Sequence, residues 1–366
     1  MKVALVYDRV NKFGGAERVL NALHDLFPDA PLYTLVYNPQ KAKWANKFKV
    51  VPSFLNHCSW LRSKHELLAP VAPLAFESFN FDQFDLVISV TSSDAKAIIT
   101  KPQTTHICYC LTPTRYFWSG EQEYRGDIKM RLLPQLIKKY LRTVDLLTSS
   151  RPDYYIAISH EVKNRIEKYY SRHSSVIYPP IEDKFFVVKP RDKKSRQYYL
   201  VVSRLVNYKK VDLVVEAFKK INHPLYIIGS GSELNHLQQI SGNNIKFLGQ
   251  VDDDQLINYY QNAKAVIFPQ EEDYGLVPLE AQACGTPVLA FGRGGALETV
   301  LPNKTGLFFT KQTPESLVDC VTRFEKHEID YLDCINQAKK FTQDKFKKQF
   351  SYRMDQLLAI SPTLPH

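Results

Sequence analysis

Two carboxylates with seven residues between them flank a glycine-containing turn in Pro269-Gln270-Glu271-Glu272-Asp273-Tyr274-Gly275-Leu276-Val277-Pro278-Leu279-Glu280-Ala281-Gln282-Ala283-Cys284-Gly285-Thr286-Pro287-Val288. The apolar run 265–268 before it reads as a strand and a helix is expected to start near Pro278. Glu272 then stands at a strand end and Glu280 inside a helix. Backbone N–H groups exposed ahead of a helix form an anion site. Carboxylates beside such a site accept hydrogen bonds from the hydroxyls of a ribose or a sugar. A second group of candidates is Ser203-Arg204-Leu205-Val206-Asn207-Tyr208-Lys209-Lys210, directly after a predicted strand. The carboxyl ends of strands are where open α/β sheets bind ligands. The planar fork of Arg204 and the point charge of Lys209 suit a diphosphate. A third is Gly14-Gly15, between the first predicted strand and a helix, where glycine lets a phosphate approach a helix N-terminus closely. Each of the last two also has a plainer reading, as a solvated cationic loop and as a tight βα turn. Asp252-Asp253-Asp254 contains an Asp-x-Asp spacing that can hold a divalent ion, but it precedes the predicted helix 255–262, and N-capping with dipole compensation is the simpler account.

The elements that must position these residues alternate along the whole chain, as in parallel sheets built from βαβ units. Strands are predicted at 2–7, 32–36, 86–89, 106–110, 154–158 and 175–178, then at 198–203, 225–229, 245–248, 265–268 and 287–290. Helix-period apolar positions fall at 17–27, 161–170, 213–221, 255–262 and 278–284. Two doubly wound α/β domains fit this count. Pro179-Pro180 and the polar run from Lys189 to Arg196 break the pattern, as a linker would. After Phe309 the sequence turns helical and charged, with Phe341, Phe346 and Phe350 marking a packing helix. The expected division is 1–185, 186–345, and a C-terminal helix at 346–366 that packs back on the first domain.

The chain has 366 residues, 44% hydrophobic and 23% charged, which excludes disorder, collagen-like repeats and coiled coil. Its apolar stretches fall far short of the ~20 residues of a membrane-spanning helix. The N-terminus lacks the apolar region of a secretory signal, and six cysteines without a Cys-x-x-Cys pair read as free thiols, so a cytoplasmic location is expected. A net charge of +10 favours anionic partners. Apolar residues at 132, 133, 136, 137, 140, 141 and 144, with Lys129, Arg131, Lys138, Lys139 and Arg142 beside them, form a basic amphipathic pattern. Such a helix either lies on an anionic membrane surface or covers the first domain's own sheet.

The stretch from Glu272 to Val288 resembles the retaining nucleotide-sugar glycosyltransferases of family 4 (group 1), whose hallmark is Glu, seven residues, Glu, within E-G-F-G-x-x-x-L-E-A-x-A-x-G-T-P-V. Gly14-Gly15, Ala157-Ile158-Ser159, Val176-Ile177-Tyr178-Pro179-Pro180, Ile228-Gly229-Ser230-Gly231 and Gly294-Gly295-Ala296-Leu297-Glu298 also look like landmarks of that family, in order. The resemblance implies a GT-B architecture, with two Rossmann-like domains facing a central cleft. It further implies that Arg204 and Lys209 hold the donor diphosphate, Glu272 the transferred sugar and Glu280 the ribose. Gly14, Gly15 and the amides of Tyr274, Gly275, Leu276 and Val277 would touch the phosphate or sugar. Arg115 and Tyr116 are candidates on the acceptor side. One departure stands out: many relatives carry His in a Y-C-H-T-P-x-R-Y pattern, and here Leu111 takes that place in Tyr109-Cys110-Leu111-Thr112-Pro113-Thr114-Arg115-Tyr116.

Under this resemblance the enzyme transfers a hexose with retention, without a metal or other cofactor. Mannose from GDP-mannose is favoured, because the 109–118 and 176–181 segments look most like mannosyltransferases. The acceptor would be a glycan or a polyprenyl-linked sugar in surface polysaccharide or glycoconjugate synthesis, met at the inner face of the membrane. Alternatives are a UDP-sugar donor and an inactive relative that only binds nucleotide-sugar, the latter prompted by Leu111. A sugar phosphorylase would need a lysine-bound pyridoxal phosphate that nothing here marks. Nucleic-acid binding is disfavoured, since no recognition module appears and the acidic Glu271-Glu272-Asp273 sits in the best candidate site.

Overall fold

A computed structural model describes residues 1–57, 68–115, 117–118, 135–186 and 196–360. They form two compact units, Met1–Pro180 with Asp344–His366, and Ile181–Gln343.

The first unit holds a seven-stranded parallel sheet: β1 (Val3–Tyr7), β2 (Leu32–Thr34), β3 (Val50–Pro52), β4 (Leu86–Thr91), β5 (Thr105–Cys110), β6 (Tyr154–Ala157) and β7 (Ser174–Val176). Their order is β3-β2-β1-β4-β5-β6-β7. Every residue of β1 and β4 is buried, as expected for central strands covered on both faces. The helices are α1 (Gly15–Leu26), α2 (Ala72–Glu77), α3 (Gln135–Thr148) and α4 (His160–Tyr170). Ser159 caps α4 by accepting from the Val162 N–H.

The second unit holds β8 (Tyr198–Val202), β9 (Leu225–Ile228), β10 (Ile245–Gly249), β11 (Ala263–Phe268), β12 (Val288–Phe291) and β13 (Gly306–Phe309), ordered β10-β9-β8-β11-β12-β13 and parallel throughout. Its helices are α5 (Val211–Ile221), α6 (Leu234–Ile240), α7 (Asp253–Asn262), α8 (Leu276–Ala283), α9 (Ala296–Thr299), α10 (Pro314–Glu325) and α11 (Tyr331–Ala338). The core on one side of this sheet joins Tyr199, Val214, Phe218, Ile227, Leu289 and Phe309 with Leu317 and Val321 of α10.

The tail is not one helix carrying three phenylalanines. Phe341 lies in a short 3-10 turn and meets Tyr274 at 6.3 Å within the second unit. Phe346 and Phe350 belong to α12 (Gln343–Ile360) and meet Tyr109 of the first sheet at 6.0 and 6.2 Å. The helix after β11 starts at Leu276, two residues before the expected Pro278. Of the expected linker, residues 189–195 lie outside the described residues.

Candidate functional site

In the second sheet the chain runs outward in opposite directions from β8 and β11, which are neighbours. Their carboxyl ends flank a topological switch point, where open α/β sheets leave a crevice. The loop after β8 carries Arg204 and Lys209, and the loop after β11 carries Glu272. Glycines hold both loops in place. Gly229 adopts φ +137°, and a Cβ there would meet the Ser203 carbonyl oxygen at 1.8 Å. The Ser203 and Leu205 N–H groups donate to the carbonyls of Ile228 (3.0 Å) and Ser230 (2.9 Å). On the other side, Gly294 stands at φ +61° and Gly295 donates its N–H to the Glu272 carbonyl at 2.8 Å. A Cβ on Gly295 would meet the Tyr274 carbonyl oxygen at 2.1 Å, so a larger residue would push this loop away.

Lys209 donates to Glu272, and their side chains are 12% and 19% exposed. This half-buried ion pair draws two candidates 63 residues apart into direct contact. Arg204 is exposed and donates to the Tyr208 hydroxyl. The Tyr208 ring centre lies 5.8 Å from the Arg204 guanidinium carbon and 5.2 Å from Lys209 Nζ. Tyr208 thus braces both cations, a role that its place in the sequence did not signal.

Gly275 is the N-cap of α8 at φ +109°, a left-handed conformation that glycine adopts without penalty. Leu276 and Val277 supply the first helical amides, and Tyr274 is buried against Phe341. Glu280 is buried within α8, and its Oε2 accepts from the Tyr260 hydroxyl at 2.9 Å. Asp252 forms a reciprocal capping box with Gln255, so the first aspartate of the acidic triplet caps α7. Asp253 pairs with Lys184 at 2.7 Å.

The carboxyl end of the first sheet is built otherwise. Gly14 is the N-cap of α1 with no side-chain cap bond, and Gly15 opens the helix. Its first turn carries Glu17, buried, whose Oε1 accepts from the Tyr7 hydroxyl at 2.7 Å. Burial raises the Glu17 carboxyl above its ordinary range, and burial beside Glu17 raises the Tyr7 phenol. Asp8, at the end of β1, accepts from the Thr91 hydroxyl (2.7 Å) and from the N–H groups of Ser92 (2.8 Å), Asp94 (3.1 Å) and Ala95 (2.9 Å), tying β1 to the loop after β4.

Arg115 sits in a turn anchored on a buried carboxylate. Asp145 of α3 accepts from Lys96 (2.6 Å), Thr114 (2.7 Å), Trp118 (2.7 Å) and Tyr170 (2.9 Å). Burial opposes charge on both Lys96 and Asp145, yet their attraction and these hydrogen bonds outweigh it: the Lys96 pKa rises and the Asp145 pKa falls. Tyr116 lies outside the described residues. Leu111 follows β5 and donates its N–H to the Thr91 carbonyl at 2.8 Å. His106 is fully buried within β5 and bonded to Ser89 at 2.8 Å. Burial and the charges of Arg151 and Arg172 push it down to about 3. A neutral, enclosed imidazole cannot replace the histidine that Leu111 displaces.

On α3 only Leu141, Asp145 and Thr148 are buried, while Leu136, Ile137, Tyr140, Leu146 and Leu147 are exposed. The stripe facing the unit therefore runs through Leu141, Asp145 and Thr148, and of these only Leu141 is among the apolar positions counted in the sequence; residues 130–134 of that pattern are outside the described set.

Against known proteins, the segment that includes the second sheet has a clear counterpart. Residues 182–341 match the family Glycosyl transferases group 1. A mannosyltransferase of Corynebacterium glutamicum, named as a GDP-mannose-dependent monoacylated alpha-(1-6)-phosphatidylinositol monomannoside mannosyltransferase, is 39% identical over 121 residues, covering 29% of this chain and 32% of its own. The chain spans about half the length, or less, of the curated relatives it first matches. Among solved structures, sucrose-phosphate synthase from Thermosynechococcus elongatus is similar at TM-score 0.75 and 17% identity, with 98% of this chain and 100% of that one covered. Anabaena HepE in complex with UDP is similar at TM-score 0.72 and 19% identity, with 97% and 100% covered. The fold is GT-B: two Rossmann-like α/β units, each on a parallel sheet. No helix among the described residues is long and apolar enough to cross a membrane.

Proposed function

We propose that this chain is a retaining glycosyltransferase that takes a hexose, mannose from the nucleotide-sugar GDP-mannose, and attaches it to a glycan or a lipid-linked sugar. The observation that carries the proposal is the Arg204, Lys209 and Glu272 cluster at the second unit's switch point, in a segment that matches group 1 glycosyl transferases. Arg204 and Lys209 neutralise the departing diphosphate and the first amides of α8 assist them. Glu272 exchanges its bond with Lys209 for hydroxyls of the transferred sugar, and Glu280, held by Tyr260, receives the ribose. The bond from the anomeric carbon to the diphosphate breaks as the acceptor oxygen bonds to that carbon on the same face. The acceptor's proton passes to the leaving phosphate oxygen. The chemistry then needs no base at Leu111, and the two cations supply the positive charge without a metal.

The GDP-mannose-dependent relative supports the choice of donor. UDP-sugars form the second reading, favoured by the fold neighbour in complex with UDP. Peripheral attachment at the inner membrane face is part of the proposal. Its support is the exposed Leu136, Tyr140 and Leu147 on α3, with Lys138 and Lys139 on the same helix. The discriminating experiment is transfer from radiolabelled GDP-mannose and UDP-glucose to a lipid-linked acceptor extract. Turnover of GDP-mannose with α-configured product supports the first reading, turnover of UDP-glucose alone the second, and turnover of neither sinks both.

A further inference from the structure

We propose that the first unit carries a second anion site, at the opposite end of its sheet from Asp8 and Gly14, which binds the phosphate of a sugar-sized phosphate monoester. A cavity of 390 Å³ opens at the amino ends of β6 and β7, the latter being the edge strand. Its wall brings Arg172 and His173 from the turn before β7 together with Ser174, Ser175 and Arg353, the last reaching it from α12.

Arg172 is held rigidly. It donates to the carbonyls of Pro152 (2.6 Å), Asp153 (3.1 Å) and Ser150 (3.1 Å), and its guanidinium carbon lies 5.4 Å from the Tyr155 ring centre. Carbonyls leave its positive charge uncancelled. Arg353 donates from Nη1 to Gln356 at 3.1 Å, a neutral partner. The one carboxylate on the wall, Asp153, already accepts the His106 N–H at 2.7 Å. Two guanidiniums against one committed carboxylate leave the wall cationic.

The second observation is independent of charge. Ser174 Oγ, Ser175 Oγ and Arg353 Nε are buried, and none has a hydrogen-bond partner among the described residues. Leaving such a group unpaired is costly, and buried polar groups are as a rule paired. Three of them on the wall of one cavity call for a ligand with several acceptor oxygens, and a phosphate offers these to a guanidinium fork and to hydroxyls that rotate to meet it. Size sets the rest: at roughly 30 Å³ per water, the cavity matches about a dozen waters, more than a bare phosphate fills. The half-buried Tyr154 on the wall offers a ring to the sugar.

The test is calorimetric titration of the full chain carrying Arg204→Ala and Lys209→Ala, so that the second unit's anion site does not contribute. Inorganic phosphate, a hexose 6-phosphate and the free hexose are compared at fixed ionic strength. Expected are saturable binding of the hexose phosphate at one per chain, weaker binding of phosphate, and none of the free sugar. Arg353→Gln should weaken binding about tenfold, the worth of one hydrogen bond to a charged group. Ser174→Ala with Ser175→Ala should weaken it severalfold without lowering the melting temperature, since the hydroxyls it removes have no partner. Absence of binding in this background, or binding that Arg353→Gln leaves unchanged, overturns the site. Equal affinity for bare phosphate overturns the ester. None of these outcomes depends on whether the second unit transfers a sugar.

Discussion

The carboxyl ends of the two sheets share a topology and use charge in opposite ways. In the first unit, Asp8 takes up donors from the loop after β4, and Asp145 takes up Lys96, Thr114, Trp118 and Tyr170. These carboxylates are buried and satisfied, and they shape loops. In the second, Arg204 is exposed and Lys209 donates to the half-buried carboxylate of Glu272. On the function proposed, the difference separates scaffold from chemistry. A charge saturated by its own chain fixes a loop, whereas a charge left at the surface beside a helix N-terminus is available to a ligand.

The largest effect that would sharpen this contrast is on stability. Asp145→Ala leaves Lys96 charged and buried without its carboxylate and should cost about 3–5 kcal/mol, read by urea denaturation of the first unit's transition. Nucleotide binding by the second unit should survive. If Asp145→Ala is tolerated, the network is not structural. Next come the second unit's cations. Arg204→Ala and Lys209→Ala should each cost ~3 kcal/mol of barrier, about a hundredfold in kcat, with an unchanged melting temperature for the exposed Arg204. A stability loss in place of a rate loss would erase the contrast.

Smaller is the effect of His106, whose pKa of about 3 in the folded chain lies below the ordinary 6.5. The unfolded chain binds that proton more readily, so this group's contribution to stability is lost as pH falls from 6.5 toward 3. His106→Gln should flatten the acid limb of stability against pH, and an identical limb would show that the ring is not enclosed. The smallest effect concerns α3: Leu136→Ser with Leu147→Ser should reduce co-sedimentation with anionic vesicles severalfold and leave folding intact, because both side chains are exposed.

Much of the fold was legible, because buried parallel strands are continuous apolar runs and the helices between them keep a 3.6-residue period. The misses share a cause. β3 is a three-residue strand, Val50–Pro52, none of it fully buried, and β13 opens with Gly306, whose lack of a Cβ admits the Val288 carbonyl; neither has the length or the pattern that marks a strand. Arg204, Lys209 and Glu272 were legible as candidates, and the contact between Lys209 and Glu272 was not, since pairing across 63 residues depends on which strands are neighbours. Asp8, Lys96 and Asp145 stayed hidden for the same reason: a buried charge is recognisable only once its partners, distant in sequence, are known. Tyr208 stayed hidden too, because standing next to Lys209 in the sequence does not show that its ring braces both cations.

The central claim is that the second unit's cations hold the donor's diphosphate. Isothermal titration of GDP-mannose into the wild-type chain and into an Arg204→Ala, Lys209→Ala variant tests it most directly. The account predicts saturable binding that falls by at least a hundredfold in the variant. Equal affinity in both would contradict it.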